Sequence, residues 1–393
     1  MKYPMLLMKT LGSLRGMLAA CAVLLAGQAL GQVQGVTDTE IVLGSHVDLS
    51  GPLSSMGAPF RDGMIFATEE INAGGGINGR KIRMQIEDNG YDPKKGILAT
   101  QKLLTQDKVF AFVSTLGTAP SIASMPLALD RGIPFLFPGA ASEATYVPHH
   151  PLKFAITSPF SVQWKAAVKY AYEVLGKRRF GILYQDDETG QSIIRAVDEQ
   201  LKVHGLTLVE KTSHKRGEID FASQVARLKV ANVDIILLGT NVREVAGAAI
   251  EARKLNWPVD LIASSGASSL TTINLGGRAV EGLYVTTQFP NSAQEATPAL
   301  IAIKERYKAR FGYEYQDGVN QGYTAVMLFA EGAKNAGRNL TPQTLAQGLE
   351  KVKNFQNVFA GVPISYGPDN HLPPQSAIIL KVKDGKFVMV SGG

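Results

Sequence analysis

From Glu40 onward the chain alternates between two hydrophobic rhythms. In some segments every second residue is apolar, or all of them are; in the segments between, apolar residues recur every three or four positions. Side chains repeat every two residues in a strand and every 3.6 in a helix, so neither pattern serves the other element. Ile41–Asp48, Lys81–Glu87, Val109–Ser114 and Ile133–Phe137 read as strands. Phe60–Asn72, Lys94–Asp107 and Pro120–Arg131 read as the helices between them. Strictly alternating elements predict a parallel sheet with helices on both faces.

The rhythm then runs a second time. Arg179–Tyr184, Leu206–Lys211, Val233–Leu238, Leu261–Ser264 and Leu283–Gln288 read as strands. Val162–Leu175, Gln191–His204, Phe221–Lys229 and Val242–Leu255 read as helices. Pro298–Phe311, Gln321–Asn335 and Thr341–Lys351 extend the helical set, and Asp384-Gly385 separates two final strands as a hairpin turn. A chain of 393 residues, 45% apolar and 19% charged, is long enough for two such units, each with its own core. The expected fold class is therefore α/β, with two successive doubly wound, Rossmann-like lobes on parallel-sheet cores.

The first 31 residues stand outside this rhythm. Lys2, Lys9 and Arg15 precede an apolar run, Met17–Ala26, and Ala29-Leu30-Gly31 follows as a small-residue step. That is the order of a secretory signal peptide, and the run is too short to span a bilayer. Residues 1–31 are thus expected to be a signal peptide cleaved near Gly31, which places the mature chain in the periplasm. Leu18-Ala19-Ala20-Cys21 offers a second reading, a lipobox with a lipidated Cys21. The apolar run continues past Cys21 rather than ending before it, which favours plain cleavage. Cys21 is the chain's single cysteine, so its removal leaves no thiol chemistry and no disulfide.

Catalytic and nucleic-acid readings find little support. Gly74-Gly75-Gly76-Ile77-Asn78-Gly79 matches G-x-G-x-x-G, but it follows a helix and precedes a strand, the reverse of a dinucleotide site. The sequence has no G-x-x-x-x-G-K-S/T, G-x-S-x-G or H-E-x-x-H. His149-His150 lacks the third ligand a metal needs. The net charge of +6 falls to about +3 once Lys2, Lys9 and Arg15 are removed, and the remaining basic residues are scattered. No enzyme activity, cofactor, metal or nucleic-acid partner is expected.

The informative residues lie in the loops that follow the strands. In an open α/β sheet, ligands bind beyond the carboxyl ends of the strands, where helix N-termini point. Those loops are Leu49–Gly57, Ser114–Ala119, Pro138–Ser142, Gln185–Gly190, Gly239–Asn241 and Ser264–Ala267, rich in Gly, Ser and Thr. Small residues let a ligand approach the backbone, and amide N–H groups at helix starts suit an anion. Ordinary helix capping explains each loop singly; several loops facing one cleft suggest a carboxylate site.

Five pieces of the first lobe carry a family resemblance: Ile41-Val42-Leu43-Gly44, Leu49-Ser50-Gly51-Pro52, Glu69-Glu70-Ile71-Asn72, Gly74 through Lys81, and Asp88 with Tyr91-Asp92-Pro93. Leu183 through Asp187 followed by Gly190 adds the start of the second lobe. The chain resembles the periplasmic solute-binding proteins of the leucine/isoleucine/valine type, which serve ATP-driven (ABC) importers. The resemblance runs from about residue 39 to the C-terminus and is looser after about residue 290. It implies two lobes joined by three hinge crossovers, lobe 1 over 36–157 and 286–360 and lobe 2 over 158–285 and 361–393. It also implies closure on a small molecule between the lobes, and a membrane permease as partner. The chain would act as a monomer; a sensory module feeding a receptor is the alternative.

By this resemblance the carboxylate cradle falls on Leu116, Gly117 and Thr118 and on Gly139, Ala140 and Ala141, with Met56 as a side wall. Thr189 stands where an aromatic is common. Amino-acid binders of this type place an acid near Ser265 and Gly266, and this chain has none there. Either Asp186, Asp187 or Glu188 pairs with a ligand ammonium group, or the ligand has no ammonium and is an apolar or aromatic carboxylate. Thr240, Asn241 and Tyr323 complete the expected site, with Tyr184 and Gln321 as further candidates.

Overall fold

A computed structural model describes residues 33–288, 297–316, 318–356 and 362–392. The expected signal peptide, Cys21 and the cleavage site near Gly31 lie outside the described residues. Twelve strands are described: β1 (Glu40–Val47), β2 (Lys81–Asp88), β3 (Ala111–Val113), β4 (Phe135–Leu136), β5 (Lys153–Phe154), β6 (Phe180–Gln185), β7 (Glu210–His214), β8 (Ile235–Gly239), β9 (Asp260–Ala263), β10 (Tyr284–Thr287), β11 (Ile378–Lys383) and β12 (Lys386–Ser391). Between them run α1 (Ser54–Ala73), α2 (Pro93–Thr105), α3 (Thr118–Leu129), α4 (Phe160–Glu173), α5 (Glu188–Val203), α6 (Ala222–Val230), α7 (Val242–Lys254), α8 (Leu270–Gly276), α9 (Pro298–Phe311), α10 (Val319–Ala336) and α11 (Pro342–Glu350).

The strands form two sheets. The first is all parallel in the order β2-β1-β3-β4-β5. The second has the order β12-β11-β10-β9-β8-β6-β7, parallel from β7 to β10 and closed at one edge by antiparallel β11 and β12. Asp384 and Gly385 both have left-handed φ (52° and 69°), as the tight turn between β11 and β12 requires.

The chain passes between the two cores three times. It leaves the first sheet after Phe154 and enters the second at Phe180. After Thr287 it supplies α9, α10 and α11, whose Leu300, Tyr307, Phe329 and Leu345 belong to the first core, and it returns to the second sheet at Ile378. The residue-level seams differ slightly from expectation. β10 runs through Thr287, and Ile364 and Tyr366 are still part of the first core, where the Tyr366 ring stacks on Phe137 at 6.0 Å.

Local chemistry explains most boundaries. The Asp92 carboxylate accepts from the N–H groups of Lys94 and Lys95 at the start of α2, with Pro93 at the first helical position. Asp187 caps α5 in the same way, and Thr341 and Thr344 form a reciprocal cap on α11. Two expected starts shift by four residues or more. α1 begins at Ser54 rather than Phe60, because the buried Asp48 carboxylate accepts from the N–H groups of Ser50, Gly51 and Leu53 and sets up the turn into the helix. β7 begins at Glu210 rather than Leu206; Leu206 and Leu208 pack against the second lobe's core, and ladder pairing with β6 starts at Gly181 opposite Glu210. α8 and β5 were not expected. Among the described residues no helix is long and apolar enough to cross a membrane.

Candidate functional site

The C-terminal ends of both sheets face one cleft between the lobes, which contains a cavity of about 140 Å³. A single water needs only about 10–15 Å³ of such space, so the cavity has room for a small molecule. Each wall is built by a different kind of group.

The first-lobe wall joins two hydrogen-bonded loops to the residues Met56, Phe60 and Tyr91. β3 ends in Ser114-Thr115, and Leu116-Gly117 leads into α3. The Leu116 N–H donates to the His46 carbonyl at 3.0 Å, Gly117 N–H to Gly139 carbonyl at 3.3 Å, and Gly139 N–H to Thr115 carbonyl at 2.6 Å. These bonds tie the Leu116–Thr118 and Gly139–Ala141 loops together. The first N–H groups of a helix have no partner within it, so the start of α3, where Thr118 lines the cleft, offers free donors. Gly117 has φ of 101°, and a Cβ there would sit 2.9 Å from Pro120 and Tyr91. A Cβ on Gly139 would lie 2.7 Å from the Phe60 ring.

Behind this wall lies a buried network. Asn89 donates through Nδ2 to His46 Nδ1 (2.9 Å) and to the Leu116 carbonyl (2.9 Å). His46 therefore carries its proton on Nε2 and donates it to Ser124 Oγ at 2.9 Å. A base that activates a serine must accept its proton; this histidine does the opposite, and Ser124 is fully buried. Burial lowers the His46 pKa to about 4, which keeps the ring neutral.

The second-lobe wall is made of side chains. Thr189 lies in the first turn of α5, Asn241 at the start of α7, and Ser264 to Gly266 after β9. Ser264 Oγ donates to the Thr240 carbonyl at 2.6 Å. Thr157, Phe160 and Gln163 line the cleft where the chain first crosses between lobes, and Gly318, Asn320 and Gln321 line it from α10 and the residue before it. None of the described lining residues is charged.

Among the described residues, the acids flanking Thr189 are already engaged. Asp187 accepts from the Thr189 N–H and, at 2.8 Å, from Arg216 Nε, and its side chain is only 3% exposed. Glu188 is 55% exposed, with its carboxylate 3.9 Å from Arg216. The Tyr91 hydroxyl accepts from Gln185 Nε2 at 3.0 Å, and burial, reinforced by the Asp187 charge, pushes the phenol up to about 12.

Of the residues singled out from sequence, Met56, Leu116, Gly117, Thr118, Gly139, Ala140, Ala141, Thr189, Asn241, Ser265 and Gly266 all line this cleft, as does Gln321. Three do not. Asp186 is exposed at the end of β6, with its N–H on the His214 carbonyl. Thr240 is buried and its hydroxyl bonds His214 Nε2 at 2.8 Å. Tyr323 faces α1, donating to Glu70 at 2.6 Å. Tyr184 also lies off the cleft. Phe60, Tyr91, Phe160 and Gln163 were missed. Tyr91 was within reach of the sequence, since it follows β2 in the kind of strand-end loop that supplied the other candidates. His149 and His150 lie outside the lining, and no metal-binding group of three His, Cys, Asp or Glu occurs among the described residues.

Comparison with known proteins places this geometry among relatives. A family model described as periplasmic binding protein matches residues 40–386. The Leu/Ile/Val-binding protein of Escherichia coli K12 is 28% identical over 262 residues, covering 67% of this chain and 70% of that protein. A fatty acid ABC transporter substrate-binding protein from Thermomonospora curvata superposes with a TM-score of 0.83 at 24% identity, covering 92% of this chain and 94% of that one. A branched chain amino acid ABC transporter from Thermus thermophilus with bound valine gives 0.83 at 20% identity, covering 91% and 97%. At such identities these two structures speak to the fold, and a fold shared by proteins named for a fatty acid and for branched-chain amino acids does not choose a ligand.

Proposed function

Because the chain belongs to the periplasmic binding protein family, we propose that it is the extracytoplasmic substrate-binding component of an ABC importer, taking a small carboxylate without an ammonium group. It captures the acid between its lobes and delivers it to a membrane permease, without chemistry on the ligand. Residues 1–31 direct export to the periplasm and are removed near Gly31, and the mature chain works as a monomer.

One observation carries the ligand class: among the described residues the cleft wall holds no charged side chain, and Asp187, beside the lining residue Thr189, is paired with Arg216. An ammonium group in such a site would be buried without a counter-charge, at a cost of several kcal/mol. A carboxylate meets the α3 N-terminus and the Leu116–Thr118 and Gly139–Ala141 loops, while Met56, Phe60 and Phe160 suit an aliphatic or aromatic remainder. The division into 36–157 plus 286–360 and 158–285 plus 361–393 belongs to the same reading, supported by the three passages of the chain between the cores and subject to the small offsets at Thr287 and Tyr366.

Calorimetry and thermal shift against leucine, isoleucine, valine, benzoate and medium-chain fatty acids test this. An aromatic or aliphatic acid should bind and raise Tm, because a ligand specific for the folded state stabilises it. Submicromolar binding of leucine, with no response to the ammonium-free acids, would overturn the ligand class.

A further inference from the structure

We infer that Tyr91 is the latch that couples ligand seating to lobe closure, a positioning residue held by the first lobe and engaged by the second. The inference rests on the binding reading above.

On the first-lobe side Tyr91 is built into the cradle. Its N–H donates to Asn89 Oδ1 at 2.8 Å, and its backbone is left-handed with φ of 54°. A non-glycine residue takes that conformation only where its surroundings impose it. The same Asn89 side chain holds the Leu116 carbonyl at 2.9 Å, and the Tyr91 ring lies so close to Gly117 that a Cβ there would come within 2.9 Å of it. The Tyr91 loop and the Leu116–Thr118 loop therefore move as one piece, and the ring is itself part of the cleft wall.

On the second-lobe side Tyr91 meets a prepared receptor. Gln185, at the end of β6, donates to the phenol oxygen at 3.0 Å across the cleft. Its amide is oriented from both ends: Nε2 also reaches the Asp187 carboxylate, and Oε1 accepts from Asn241 Nδ2 at 3.5 Å. Arg216 pins Asp187 at 2.8 Å and places its guanidinium carbon 5.8 Å from the centre of the Tyr91 ring, within cation–π range. Asn241 and Thr189, which flank this receptor, line the ligand cleft. A ligand pressed against Leu116–Thr118 thus settles Tyr91, and Tyr91 in turn docks on residues continuous with the opposite wall. In an open cleft water satisfies both the phenol and the amide, so the net gain on closure is modest and the latch is reversible.

The test uses Tyr91→Phe, Gln185→Leu and the double variant in the full chain. Donor and acceptor dyes are attached through Leu98→Cys and Val203→Cys, at exposed positions on α2 and α5, with Cys21→Ser to avoid a third thiol. Without ligand, each single variant should shift the interlobe energy-transfer distribution toward wider separation, and the double should go no further than either single. With benzoate as the probe, the off-rate should rise about three- to tenfold while the on-rate stays unchanged, as expected for loss of one hydrogen bond made after docking. An unchanged distribution in both single variants, or additive shifts in the double, would overturn the latch. Wild-type protein that binds neither benzoate nor the other ammonium-free acids would count against the proposed ligand class, while the ligand-free measurement would still decide the latch.

Discussion

The two walls of the cleft solve the same problem with different parts. The first lobe presents two loops cross-bonded through Leu116, Gly117 and Gly139, where a Cβ on either glycine would collide, beside Met56, Phe60 and Tyr91. Behind them Asn89, His46 and Ser124 form a buried hydrogen-bonded frame. The second lobe presents side chains, namely Thr189, Asn241 and the Ser264–Ser269 stretch, on helix-start and strand-end loops. Loops cross-bonded through their backbone have little freedom to adapt. A side-chain wall can change its chemistry one residue at a time. The first lobe should therefore respond to substitution in large steps and the second in small ones.

The largest expected effect is on the fold of the first lobe. α1 and α10 approach so closely that a Cβ on Gly322 would lie 2.1 Å from the Phe60 carbonyl oxygen, and one on Gly63 equally close to that of Val319. Gly322→Leu should cost more than about 3 kcal/mol or prevent folding, since backbone cannot yield as a side chain can. Ser268→Leu, on the second wall, should fold normally. Urea titration of both would break the comparison if they behaved alike.

The buried frame should make first-lobe stability depend on pH. With the His46 pKa lowered to about 4 in the fold and near 6.5 when unfolded, the unfolded chain holds more protons between those values. Its contribution is fully present above about pH 6.5 and is lost as pH falls toward 4, by about 3 kcal/mol in all. The urea midpoint should drop over this window in the wild type. His46→Gln should be less stable at neutral pH but flatter, and an equally steep profile in that variant would place the titration elsewhere.

Within the cleft, Thr118→Trp should weaken binding at least about a hundredfold, close to 3 kcal/mol, while leaving Tm near that of the wild type. It fills the cradle without disturbing the frame behind it. Retained affinity would show that the carboxylate sits elsewhere. The smallest effect belongs to the second wall: Asn241→Ala should weaken binding only about three- to tenfold, the value of one hydrogen bond. A loss as large as that of Thr118→Trp would erase the distinction between the walls.

Much of this architecture is legible in the sequence. Strand and helix periods are local, so the alternation through Lys81–Asp88 and Pro93–Thr105 declared itself residue by residue. The loops after the strands were legible because the geometry of an open α/β sheet puts them at the ligand face whatever they contain. Hence Gly117, Thr118, Gly139, Asn241 and Gly266 came together. The misses share a cause. Thr240 turns toward His214, and Tyr323 toward Glu70, because each sits where a buried or packed partner claims it. Nothing in the local pattern says which of two neighbours, Thr240 or Asn241, will face the cleft. What Tyr91 meets was hidden for the opposite reason, since its partner Gln185 lies more than ninety positions later.

By itself, then, the sequence determined what short-range physics can determine: the order of strands and helices, the two-lobed α/β class, the absence of an acid beside Ser265 and Gly266, and the loops that border the cleft. The tertiary structure decided what depends on contacts between distant residues. It paired Asp187 with Arg216, so that this acid's charge is already matched. It carried α9 to α11 back to the first core, and it set Tyr91 against Gln185 across the cleft. Periodicity is written in neighbouring residues, whereas the direction and charge of a buried side chain depend on whatever the fold brings to it.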